Sequence, residues 1–206
     1  MSLIKYNLND HMVEYDNGEF EVCYCLGNDY LHYIGNGKNI HNPKGNTSCY
    51  AMFHNFKGTS LDLSNFNTHN ITNMGSMFAN CSNLESLNLE NFDTHNVTDM
   101  SYMFSYCYNL KHLSLSKFNT SNVMYMERMF RKCENLKELD ISSFCINDTK
   151  MLDDIFWDCK SLDTLKVSSD CLQFFLAHKK FLLGNCGNVN IIPVSKLDKA
   201  IEELFY

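Results

Sequence analysis

The chain has 206 residues, of which 45% are hydrophobic and 20% charged, with a formal net charge of −7. That length suits one domain or one short repeat array with a sizeable core. The acidic balance argues against a non-specific nucleic-acid binder, which is usually basic, and no stretch approaches the ~18 consecutive apolar residues of a membrane span, so no membrane insertion is expected.

The first residues carry no apolar run of the secretory type, so a cytoplasmic protein with reduced thiols is expected. The cell surface is the alternative should the chain be a piece of a longer one. Residues 1–45 do not follow the repeat described below. Segments 12–15 and 20–24 flank Asp16-Asn17-Gly18, a strong hairpin signal. Gly27, Gly35, Gly37 and Pro43 then break the chain into turns. An N-terminal, β-rich cap is expected here.

From 46 to 168 the sequence repeats with a period of 26 residues. Phe66, Phe92, Phe118 and Phe144 follow that step, as do Phe78, Phe104, Phe130 and Phe156. So do Cys81, Cys107, Cys133 and Cys159, and Leu61, Leu87, Leu113, Leu139 and Leu165. Within one repeat Leu84-x-x-Leu87-x-Leu89 places Leu87 and Leu89 on one face of a short strand. Val97, Met100, Met103, Phe104 and Cys107 then fall at steps of three and four, the stripe of a short amphipathic helix. Thr94 or Asn96, like Thr68 or Asn70 and Thr120 or Asn122 in the neighbouring copies, is placed to cap it. One such unit cannot bury its own stripe, but stacked units can. The expected fold class is therefore an α/β repeat: a leucine-rich-repeat solenoid with short parallel strands on one face and short helices on the other, capped at both ends.

Residues 169–206 are expected to form the C-terminal cap. Ser169 or Asp170 caps a helix over 172–183 that Gly184 closes, 188–194 reads as a strand, and Ser195-x-x-Asp198 as a capping box before a helix carrying Leu197, Ile201, Leu204 and Phe205.

Three strings carry a family resemblance: LDLSNFNTHNITNMGSMFANCSNL at 61–84, LNLENFDTHNVTDMSYMFSYCYNL at 87–110 and LSLSKFNTSNVMYMERMFRKCENL at 113–136. They resemble the BspA-like leucine-rich-repeat family, also described as the DUF285 or Mycoplasma-lipoprotein-type repeat. The shared pattern, F-x-T-x-N-V-x-x-M-x-x-M-F-x-x-C-x-x-L, is long and distinctive. The resemblance implies a right-handed repeat solenoid used for binding, with many members resembling bacterial surface proteins, and with no catalytic residues to carry over.

The residues themselves point away from chemistry. The cysteine column lacks a C-x-x-C pair and is read as core packing. His69 and His95 share a column and could stack on an ion, but neither has a carboxylate or thiol partner in the sequence pattern, so no metal and no cofactor is expected. No phosphate-binding loop, nucleophile elbow or H-E-x-x-H pattern is visible, and no catalytic residue is assigned.

Outward strand positions should stack into three polar columns: Ser60, Ser86, His112, Glu138 and Thr164; Asp62, Asn88, Ser114, Asp140 and Lys166; and Ser64, Glu90, Ser116, Ser142 and Ser168. From these, Ser86, Asn88, Glu90, His112, Ser114, Ser116, Glu138, Asp140 and Lys166 are the candidate binding face. The opposite, convex face offers Tyr102, Tyr106, Tyr108, Tyr125, Arg128, Arg131 and Lys132, residue types enriched at interface hot spots. The expected function is a non-enzymatic module that binds a protein partner, in one form a phage- or virus-encoded inhibitor that occludes a host protein. The alternative is a surface adhesin fragment that binds matrix protein or glycan.

Overall fold

A computed structural model describes residues 11–16, 20–25, 30–34, 40, 42, 45–146, 152–195 and 198. Strands β1 (His11–Asp16) and β2 (Phe20–Cys25) pair antiparallel on either side of the expected turn, and β3 (Tyr30–Ile34) adds to β2. The β3 residue Tyr33 ties this sheet to the first repeat. Its amide donates to the Met52 carbonyl at 2.6 Å, and its ring lies 5.2 Å from Phe53 and 6.1 Å from Phe56.

In the repeats, β4 (Ser86–Leu87) pairs parallel with β5 (His112–Leu113), and β6 (Glu138–Asp140) pairs parallel with β7 (Thr164–Ser168). Every pair joins residues one repeat apart. Strand β8 (Asn190–Val194) keeps that step, with Thr164 opposite Asn190 and Leu165 opposite Ile191. A strand expected within the C-terminal cap thus pairs as the next rung beside β7.

The expected repeat helix is not there: the described residues of 46–146 contain no α-helix. The stripe of Val97, Met100, Met103, Phe104 and Cys107 is fully buried, but on a run of tight turns. In one repeat the Met103, Ser105 and Cys107 amides donate to the Met100, Tyr102 and Phe104 carbonyls. The intervening amides of Met100, Tyr102, Phe104 and Tyr106 donate instead to the carbonyls of Tyr125, Glu127, Met129 and Arg131 in the next repeat, at 2.7–3.0 Å. Half the hydrogen bonds a helix would make within itself are therefore spent between repeats.

Spacing explains the choice. Packed helices need roughly 8–10 Å between axes. Here Phe53, Phe78, Phe104, Phe130 and Phe156 stack nearly parallel at 5.3–5.7 Å under the turns. That is close to the ~4.8 Å strand spacing, too near for packed helices, and turns hydrogen-bonded from repeat to repeat fit it instead. Among the described residues the turns place ten non-glycine residues at positive φ, in two columns that recur from repeat to repeat: Ala51, Ser76, Tyr102, Arg128 and Asp154, and Asn55, Asn80, Tyr106, Lys132 and Asp158.

Without helices the expected caps take another role. Buried Thr68 accepts the Asp93 amide at 2.8 Å and donates to the Asp93 carbonyl at 3.0 Å. Thr94 does the same to Asn119, and Thr120 accepts the Cys145 amide. Asn96 and Asn122 donate to the His69 and His95 carbonyls in the preceding repeat. Thr and Asn therefore staple repeats together. The thiols of Cys81, Cys107, Cys133 and Cys159 donate to phenylalanine carbonyls at 3.0–3.2 Å, and Cys186 continues the ladder.

At the C-terminus the single expected helix is two, α1 (Leu172–Ala177) and α2 (Lys179–Leu183), broken at His178. Ser168, rather than Ser169 or Asp170, caps the turn of tight helix that precedes α1. Ser195 and Asp198 form the reciprocal capping box, with the Asp198 amide on Ser195 Oγ at 3.1 Å and the Ser195 amide on Asp198 Oδ2 at 3.0 Å. Leu197, Ile201, Leu204 and Phe205 lie outside the described residues.

Candidate functional site

The strand face is polar, as the columns imply. Ser86, Asn88, Glu90, His112, Ser114, Ser116 and Glu138 are exposed, and Asp140 and Lys166 are half-buried. A groove of about 720 Å³ runs over its middle, lined by Lys111, His112, Ser114, Ser116, Glu138 and Asp140 among others. The structure thus gathers His112, Ser114, Ser116, Glu138 and Asp140 into one depression. Ser86, Asn88 and Glu90 sit one repeat away, outside its lining, and Lys166 reaches across to Glu138 at 2.7 Å. Ser142, expected to point outward, is buried, its amide and hydroxyl both donating to Asp140 Oδ1; Ser64 makes the same bonds to Asp62 and is exposed.

The opposite surface is built by the two positive-φ columns, whose side chains stand out from the ladder. Read along the repeats they match: Ser76, Tyr102, Arg128, Asp154, beside Asn80, Tyr106, Lys132, Asp158. In each, a cation is held between an aromatic ring and a carboxylate. The Arg128 guanidinium lies 5.5 Å from the Tyr102 ring centre, donates to the Tyr102 hydroxyl, and approaches Asp154 at 3.4 Å. Lys132 Nζ lies 5.7 Å from the Tyr106 ring and 3.8 Å from Asp158. Arg131 completes the patch, bonding Asp154 at 2.6 Å with its guanidinium 5.6 Å from the Trp157 ring. Tyr106 and Tyr108 meet edge to face. Tyr125 is 54% exposed, and so, to similar extents, are Met124 and Trp157. Of the expected convex-face set the structure joins Tyr102 to Arg128, and Tyr106 to both Lys132 and Tyr108. Asp154, Asp158, Trp157 and Met124 were not singled out from the sequence, although Asp154 and Asp158 stand one repeat after Arg128 and Lys132.

A third feature lies on the loops that enter the repeats. His69 Nδ1 stands 3.0 Å from Asp93 Oδ2, and His95 Nδ1 stands 2.5 Å from Asp93 Oδ1. The His95 ring, and then the His69 ring, hold the Asp93 carboxyl below the usual carboxylate range, at about 2. The carboxylate that the sequence pattern did not offer to the two histidines is thus supplied by Asp93. Within the core, burial pushes the Cys133 thiol up to about 12, which suits a packing and hydrogen-bonding role.

Among the described residues no helix is long and apolar enough to cross a membrane. A family model described as "Mycoplasma protein of unknown function, DUF285" matches residues 47–169. Neither the curated proteins nor the solved structures yield a match.

Proposed function

The chain belongs to the DUF285 family, and on that premise we propose that it is a leucine-rich-repeat-type solenoid that binds another protein and performs no catalysis. The observation that carries this reading is the paired lattice of Tyr102, Arg128 and Asp154 beside Tyr106, Lys132 and Asp158, flanked by Arg131 and Trp157. Tyr, Trp and Arg dominate interface hot spots. Here they project from a backbone whose amides are tied to the next repeat, and the cations are already held by ring and carboxylate. Binding such a surface orders few new side chains, so less of the contact energy is lost to entropy. Met124 and Tyr125, four and three residues before Arg128 in the same repeat, add exposed apolar area. An inhibitor that acts in the cytoplasm by covering a partner's surface is the form of action this reading favours.

The test is capture with the immobilised full chain from lysate of the source cells, followed by a binding isotherm on the purified partner. Saturable binding should weaken by about tenfold or more in Arg131→Ala or Trp157→Ala, the loss expected of a hot spot. It should survive Glu138→Ala. Absence of any saturable protein ligand would overturn the proposal.

The strand-face groove favours a second reading, the adhesin. Its Ser, His, Glu and Asp lining suits hydrogen bonding to a glycan or an extended matrix segment. In that case Glu138→Ala would abolish binding and Trp157→Ala would not.

A further inference from the structure

The loop entering each repeat is built around one Asx residue, Asn67, Asp93 or Asn119, whose Oδ1 accepts the amide two residues on. That local turn needs only an amide or carboxylate oxygen, and Asn serves in two copies. The middle copy differs. Asp93 uses both oxygens, one toward His95 of its own loop and one toward His69 of the preceding repeat. The two rings lie 5.2 Å apart, and one ligand atom from each of the three residues falls within 4.8 Å of the others. In the next copy Ser121 replaces the histidine and simply donates to Asn119.

We propose that His69, Asp93 and His95 form a binding site for one divalent transition-metal ion of the zinc, nickel or copper class. Two imidazoles and a carboxylate suit those ions better than magnesium or calcium, which prefer all-oxygen shells. With metal–ligand bonds of about 2.0–2.2 Å, neighbouring ligand atoms of a tetrahedral site stand roughly 3.3–3.6 Å apart. The His69 separation from Asp93 Oδ2, 3.0 Å, is a few tenths short of that, and the His95 contact with Asp93 Oδ1, 2.5 Å, must open further, so both imidazoles swing outward as the ion enters. On binding, the ion replaces the proton each Nδ1 donates to Asp93, and that proton moves to Nε2 or to solvent.

The supporting shell is in place. Thr68 clamps the Asp93 backbone through both amide and carbonyl, Asn96 holds the His69 carbonyl at 2.9 Å, and Asn122 holds the His95 carbonyl at 2.7 Å. Each ligand therefore sits on backbone fixed by a neighbouring repeat, the preorganisation a metal site requires. The three side chains are 42–63% exposed, so an ion reaches them without opening the core and keeps at least one coordination position toward solvent.

The experiment is calorimetric titration of the full-length chain with zinc chloride, in a phosphate-free buffer with reductant. Cys145, the one exposed thiol among the described residues, is replaced by Ser to remove a competing ligand. One zinc per chain is expected, with affinity reduced by roughly tenfold or more in His69→Gln, His95→Gln and Asp93→Asn, and unchanged in His112→Gln. Imidazole resonances of His69 and His95 should shift with zinc while that of His112 does not, and magnesium should shift none. Thermal melts without metal verify that the variants fold. Absence of saturable binding, or binding that survives His69→Gln and His95→Gln, overturns the site.

Discussion

Thr94 gives the sharpest test of the staple reading. It is 1% exposed and joins two repeats through two hydrogen bonds, from the Asn119 amide at 2.8 Å and to the Asn119 carbonyl at 3.0 Å. Thr94→Val keeps the shape and removes both. A net hydrogen bond is worth about 0.5–1.5 kcal/mol, and stranding a buried partner costs more, so two bonds at a half-buried loop come to about 2–3 kcal/mol. Thr94→Ser keeps the hydroxyl and loses one methyl, about 0.8 kcal/mol. Urea denaturation should therefore rank Val well below Ser although Val is the closer isostere. A helix cap would also favour Ser, at about 1 kcal/mol over Val, so amide exchange must decide between them. The staple predicts faster exchange at Asn119 in Thr94→Val, one repeat away, and little change at Asn96 or Val97. If Val and Ser are equally stable, or exchange rises at Asn96 and Val97 instead, the staple is wrong.

Removing Ser105 Oγ, a buried hydroxyl without a hydrogen-bond partner among the described residues, should help rather than hurt. Ser105→Ala, the residue already present at Ala79 one repeat earlier, is expected to raise stability by about 1 kcal/mol in urea melts. Phe104→Ala cuts a ring stacked on both sides, at 5.6 and 5.7 Å, and should cost about 3–5 kcal/mol by the same assay. Cys133 has its thiol raised from an ordinary 9.0 to about 12. The unfolded chain then ionises first, so the stability this neutral thiol contributes is intact below 9 and lost as pH climbs toward 12. Denaturation midpoints measured from pH 8 to 11 should fall with a slope about one proton shallower in Cys133→Ala. Thiol labelling of the native protein at pH 8 should modify Cys145 and spare Cys133 until urea is added.

Much of the core was legible because repetition registers it. The Phe, Met, Leu and Cys columns read from the 26-residue period are the residues that the structure buries. The form of the backbone beneath them was not. Steps of three and four mark a helix, yet successive four-residue turns bury the same positions. The usual turn signals are also weak: of the ten described non-glycine residues at positive φ only Asn55, Asn80, Asp154 and Asp158 are of the type that favours it, while Tyr102, Arg128 and Lys132 are not. The strand at β8 was legible, but its place as the next rung was hidden for another reason. The residues between it and β7 form α1 and α2 and carry no repeat columns, so only the pairing of Leu165 with Ile191 reveals the shared step. Asp93 escaped notice because its column, with Asn67 and Asn119, reads as turn chemistry. Its second oxygen acquires a partner only when His69 of the previous repeat is stacked beneath it.

These misses share a cause that also locates the candidate sites. Inside the array a column must be uniform, because each residue packs on its own equivalent about one strand spacing away. Outside, a column is free to vary, and the variation creates pairs that no single repeat contains. Tyr102, Arg128 and Asp154 occupy one outward position in three successive repeats, as do Tyr106, Lys132 and Asp158. Because the ladder of inter-repeat hydrogen bonds fixes the spacing, ring, cation and carboxylate are delivered to contact distance without any local motif. The same logic sets Asp93 between His69 and His95. Function in such a chain is therefore to be sought where an outward column changes residue type between neighbours, and the core columns, however regular, say only that neighbours will be adjacent.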